Sequence, residues 1–207
     1  MSHRIMRRSL GIIGLALVVA VPVGWAQDAP PVRVRGTIER VDGDSYIVKS
    51  RDGAELKVKL AANAMVVALV KASLADIKPG SYVGVAGMPQ ADGSQRALEV
   101  HVFPEAMRGT GDGHRPWDLQ PQSTMTNGNV EQSVAGSDGQ ALTLKYKDGE
   151  KKIVVPANTP IVSYVSGDKT ELKPGAKIFI TAATKQPDGT LQAPRVNVGR
   201  DGVTPPM

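Results

Sequence analysis

Cysteine is absent from the chain, and aromatic side chains are scarce, with two Phe, two Trp and four Tyr in 207 residues. Without thiols there are no disulfide staples, no thiolate metal sites and no cysteine nucleophile. So few rings also argue against a carbohydrate groove, which depends on stacked aromatics. Long apolar runs are lacking too. The run Leu10 to Val21 is the strongest, and it falls short of the ~20 residues a membrane-spanning helix requires. Neither a Gly-x-Ser-x-Gly elbow nor a His-Glu-x-x-His pair occurs, so the sequence gives no support to an enzyme and is read as non-enzymatic.

The leader is the clearest feature present. Arg4, Arg7 and Arg8 precede the apolar run, Pro22 breaks it, and Gly24 and Ala26 supply the small residues a signal peptidase needs. Residues 1–26 are therefore expected to be a cleaved export signal, which gives a periplasmic or secreted protein with no integral membrane segment after cleavage. Three arginines and no acid leave with that leader, so Lys+Arg falls from 25 to 22 against 20 acids. A balance so close to neutral removes the electrostatic case for nucleic-acid binding.

The remaining chain matches itself at an offset of about 95 residues. Asp52-Gly53 falls on Asp148-Gly149, Ala62-Asn63 on Ala157-Asn158, and Lys78-Pro79-Gly80 on Lys173-Pro174-Gly175. Asp92-Gly93 falls on Asp188-Gly189, and Val100-His101-Val102 on Val196-Asn197-Val198. Within each copy the apolar period is two, as in Leu56, Val58 and Leu60 set against Glu55, Lys57 and Lys59, which specifies strands. Asp-Gly marks hairpins with positive φ at both central positions. Pro-Gly marks a type II turn. A short strand and one helical turn at Ser73 to Asp76 are expected between the third and later strands.

The fold class that follows is all-β: two tandem small OB-like barrels of five to six strands each, joined by a Gly/Pro-rich linker. The expected boundaries are 32–103 for the first barrel, 104–124 for the linker, 125–200 for the second barrel and 201–207 for a disordered tail. Barrels this small have marginal cores without disulfides, so the two are expected to pack on each other.

The succession Gly36-Thr37-Ile38-Glu39, an Asp-Gly hairpin, Leu172-Lys173-Pro174-Gly175 (Ile77-Lys78-Pro79-Gly80 in the first copy), Val83-Gly84-Val85 and a closing Asp-Gly resembles an exported bacterial domain of unknown function, often found duplicated. The resemblance covers nearly all of residues 32 to 200. Its landmarks are turn residues, so it implies fold and carries no chemistry. Relatives of this kind sometimes carry a metal-transport label, but a chain without a transmembrane bundle is not itself a permease.

Chemistry is sought in the linker. His101, placed by alternation on the outward face opposite Leu98, Val100 and Val102, lies near Glu105, Met107, Asp112, His114 and Asp118. These form a candidate mixed-ligand site for zinc or copper. The spacing matches no compact ligand motif, and solvated or hydrogen-bonding histidines are the plainer reading. Gly109-x-Gly111-x-Gly113 is followed by His-Arg-Pro-Trp rather than a helix, so it is a turn and no phosphate loop. Trp117 suits the groove between two barrels, with Arg115 and Asp118 beside it, and Arg115 and Trp117 are the candidate interaction residues. The leading expectation is a periplasmic binding or scaffolding protein, without cofactor, that presents its linker to an envelope protein partner. The alternative is a metal-handling accessory protein.

Overall fold

The computed structural model describes residues 30–137 and 139–206. The protein is all-β, as the period-two patterning requires. Twelve strands form one continuous hydrogen-bonded sheet among the described residues. The first half contributes β1 (Val32–Asp42), β2 (Ser45–Ser50), β3 (Glu55–Lys71), β4 (Tyr82–Pro89) and β5 (Gln95–Phe103). A short β6 (Gly113–Pro116) follows. The second half contributes β7 (Thr124–Gly136), β8 (Gly139–Tyr146), β9 (Gly149–Pro156), β10 (Ile161–Ser166), β11 (Lys177–Lys185) and β12 (Leu191–Gly199). No helix among the described residues is long and apolar enough to cross a membrane.

The pairings close two five-stranded rings, and neither follows the expected boundaries 32–103 and 125–200. In ring A, β1 pairs with β2, β2 with β3, β3 with β12, β12 with β11, and β11 with β1. In ring B, β4 pairs with β7, β7 with β8, β8 with β9, β9 with β5, and β5 with β4. Each ring thus takes three strands from one half of the chain and a closing hairpin from the other.

Strand β3 explains the exchange. Its 17 residues span about 56 Å at roughly 3.3 Å per residue, far more than a strand of a small ring needs. The chain therefore leaves ring A on β3, makes a single 3-10 turn at Leu74–Asp76, and enters ring B on β4. The second half crosses back by β10, which runs antiparallel to β3 with Leu69 opposite Tyr164. Each crossing ends in a Pro-Gly turn of the type II form: Ser81 N–H donates to Lys78 and Ala176 N–H to Lys173, with φ of 85° at both Gly80 and Gly175. Gly80 N–H then donates to Val130 O in β7, and Gly175 N–H to Ile38 O in β1. Each turn is thereby tied to the opposite half.

The cores follow the rings. Val34, Ile38, Val48 and Val58 pack with Ile178, Ile180, Val196 and Val198 in ring A. Val83, Val85 and Val100 pack with Val130, Leu142, Leu144 and Ile153 in ring B.

Three local expectations change. The Asp52-Gly53 turn has positive φ at Gly53 alone, because Gly53 N–H donates back to Ser50 O and the loop is one residue longer than a two-residue hairpin. The segment 104–124 is ordered by a 3-10 turn at Glu105–Met107 and by β6, which pairs with β7. Residues 201–206, expected to be disordered, are tied down: Val203 packs on the junction between the rings, Pro205 is buried, and Lys177 Nζ donates to Thr204 Oγ1 at 2.8 Å.

Candidate functional site at the junction of the rings

Between the rings lies a third cluster formed by Leu69, Ala86, Trp117, Met125, Val162, Tyr164 and Phe179. It draws on both halves and on the linker, and Trp117 fills it with 9 % of its surface exposed. The indole is flanked by guanidinium groups, with Arg33 Cζ at 4.2 Å and Arg115 Cζ at 5.7 Å from its ring centre. Its loop is closed by Trp117 N–H donating to Ser123 O at 2.8 Å and Ser123 Oγ donating back to Trp117 O at 2.9 Å.

Beside this cluster is a cavity of about 330 Å³. Phe103, Trp117, Tyr164 and Phe179 give it aromatic walls, and His101, Arg115, Asn127, Arg195 and Asn197 give it polar groups. The strand register accounts for its position. In ring B, Gly84 lies between His101 and Asn127 on adjacent strands. In ring A, Phe179 lies in the same way between Arg35 and Asn197. A ring side chain fills one row, and in the other Asn127 and Phe103 close over the glycine. A Cβ on Gly84 would stand 2.8 Å from Asn127 Oδ1 and 3.0 Å from Phe103 Cε2.

The polar lining is buried and incompletely bonded. His101 is 0 %, Asn197 3 % and Asn127 5 % exposed. His101 Nε2, Trp117 Nε1, Asn127 Oδ1, Arg195 Nε and Asn197 Oδ1 all lack a hydrogen-bond partner among the described residues. His101 Nδ1 lies 2.8 Å from the Tyr164 hydroxyl. Burial pushes that phenol well above its ordinary range, with Arg195 pulling it back and Glu99 reinforcing the rise. The other ring nitrogen, Nε2, faces Glu99 Oε1 at 3.6 Å.

His101 is therefore not on an outward face. Strand β5 is covered on both sides, by the ring B core at Val100 and by the junction at His101, so alternation there does not separate buried from exposed. The other candidate metal ligands are dispersed among separate partners. His114 Nδ1 is 2.8 Å from Thr126 Oγ1, and burial, then Lys151 and Arg115, lower its pKa below the ordinary imidazole value. Asp112 accepts from the Tyr82 hydroxyl at 3.2 Å and from Lys147 N–H at 2.8 Å. Glu105 pairs with Arg108 at 2.6 Å. Met107 Sδ accepts from Arg195 at 3.6 Å. Asp118 pairs with Arg35 at 2.7 Å and Arg33 at 3.2 Å. Burial raises the Asp118 carboxyl, but Arg35 and then Arg33 outweigh it and leave the pKa below its usual value. No three His, Asp or Glu side chains gather into a metal-sized group among the described residues.

Arg115 and Trp117 do belong to the site. Asn127, Tyr164, Arg195, Asn197 and Gly84 were not singled out from sequence. One signal was present: the self-match sets His101 on Asn197, two polar residues at the same place between valines. Comparison with protein-family models, curated proteins and solved structures finds no match.

Proposed function

We propose that this chain is a non-enzymatic binding protein that holds a small organic ligand in the cavity between its two strand rings. The observation that carries this reading is one cavity whose lining residues Trp117, Asn127, Arg195 and Asn197 each hold a buried polar atom without a hydrogen-bond partner among the described residues. Each such atom costs about 1–3 kcal/mol unless something supplies the missing bond. Four aromatic walls favour an organic occupant over water alone, and the volume lies within the range of small-ligand sites. The export signal expected at residues 1–26, which lie outside the described residues, supports a ligand met outside the cytoplasm. The linker in this reading serves the cavity from within: Trp117 is buried in its wall, which leaves it little surface for an envelope partner.

The test is a thermal-shift panel of small neutral, anionic and cationic molecules on the chain and on Ala182→Phe. Ala182 is an exposed residue at the cavity wall, where a benzyl group obstructs the space without entering either core. A ligand at a hundred times its Kd is expected to raise Tm by roughly 5–10 °C in the parent and not in the variant. A panel in which no compound distinguishes the two proteins rejects the reading.

A further inference from the structure

We infer that the junction cavity selects a small organic monoanion, a carboxylate carried on a flat apolar body; this rests on the ligand-binding reading above. The charged side chains lining the cavity are both arginines, Arg115 and Arg195. Arg115 is partly buried, with its guanidinium over the Trp117 ring at 5.7 Å from the centre. One of its nitrogens donates to Gly111 O at 2.7 Å, and burial followed by the nearby Arg33 lowers its pKa. Arg195 turns one nitrogen to Met107 Sδ and keeps Nε buried without a partner. Both guanidinium groups are half-buried in the cavity lining, and a carboxylate is the planar acceptor their geometry fits.

An amide group stands beside this charge. Arg115 Nη2 and Asn127 Nδ2 each lie 3.1 Å from the point a Gly111 Cβ would occupy, so fork and amide are neighbours in the cavity lining, the amide also donating to Thr110 O at 2.8 Å. The body of the ligand is set by the walls. Phe103 and Tyr164 stack with centres 5.0 Å apart and planes inclined by 21°. Phe179 and Met125 line the same space. Two guanidinium groups set among four aromatic walls describe an anion with an apolar body.

Calorimetric titration with phenylacetate, its neutral amide phenylacetamide, the cation phenethylamine and the bare headgroup acetate tests this on the intact chain. Phenylacetate is expected to bind at least tenfold more tightly than the other three. Arg115→Gln and Arg195→Gln should each weaken phenylacetate about tenfold or more and weaken phenylacetamide by a smaller factor. The charge series on the unaltered protein decides the matter even where a variant folds poorly by circular dichroism. Equal or tighter binding of phenylacetamide or phenethylamine, abolished by Ala182→Phe, overturns the anion inference and leaves the cavity as a ligand site. Absence of binding by all four also overturns it, and the thermal-shift panel then decides separately whether the cavity holds any ligand.

Discussion

Tyr164 occupies a position where one side chain serves two structures. Its ring faces Phe103 in the wall between the rings, and its hydroxyl is the hydrogen-bond partner of His101 Nδ1 at 2.8 Å. His101 is fully buried, so Tyr164→Phe leaves that nitrogen without a bond and without access to water. The expected cost is about 1–3 kcal/mol, read as a lower urea midpoint with an unchanged slope. A midpoint that stays put would show that the pair contributes nothing to stability. The same residues mark the limit of reading a site from sequence. His101 was visible as an unusual residue between valines, but alternation assigned it to solvent. Alternation holds where one face of a strand is wet, and β5 has none that is wet at that position. Trp117, by contrast, was legible, because a large ring in a short connection between small cores has few other places to go.

At the scale of elements, the turns were the most legible part of the fold. Both Pro-Gly turns and the 3-10 turn after Ser73 stand where the sequence puts them, since their chemistry is local. Length was less legible: a short strand was expected near Ala64, and β3 instead runs unbroken to Lys71 because tertiary partners on β12 and β10 continue its ladder. Close strand approaches leave only a glycine as their trace. Gly36 in β1 and Gly128 in β7 are such cases. A Cβ on Gly36 would stand 2.3 Å from Lys49 O, and one on Gly128 would stand 2.6 Å from Lys145 O. These obstacles are backbone carbonyls of neighbouring strands, which cannot rotate aside as a side chain does. Gly36→Ala and Gly128→Ala should therefore each destabilise the chain by about 1–3 kcal/mol, the usual cost of overpacking. Chemical unfolding of the two variants checks this, and tolerance of both would mean that the strands do not approach so closely in solution.

The exchange of hairpins belongs to the whole molecule, and it is the feature least available to a sequence reading. Three strands precede the 3-10 turn in the first half and four in the second, and a closing hairpin follows each turn, so local order alone does not say which half that hairpin joins. Local patterning is satisfied equally by both arrangements. What separates them is the reach of β3 and the docking of each Pro-Gly turn on the opposite first strand, at Ile38 and Val130. The consequence is physical interdependence. Ring A without residues 177–199 loses Ile178, Ile180, Val196 and Val198 from its core, and ring B without residues 82–103 loses Val83, Val85 and Val100. Burying one such side chain contributes about 1.5–3 kcal/mol, so removing several exceeds the stability of a small domain. The intact chain should then unfold in one cooperative transition, with calorimetric and van't Hoff enthalpies in agreement. Polypeptides covering 30–103 and 104–206 should each lack a cooperative transition as monomers, and an equimolar mixture should recover the spectrum of the intact protein. A monomeric half that melts cooperatively by itself would mean that each half closes its own ring, and the junction cavity would then lie between two independently folded units.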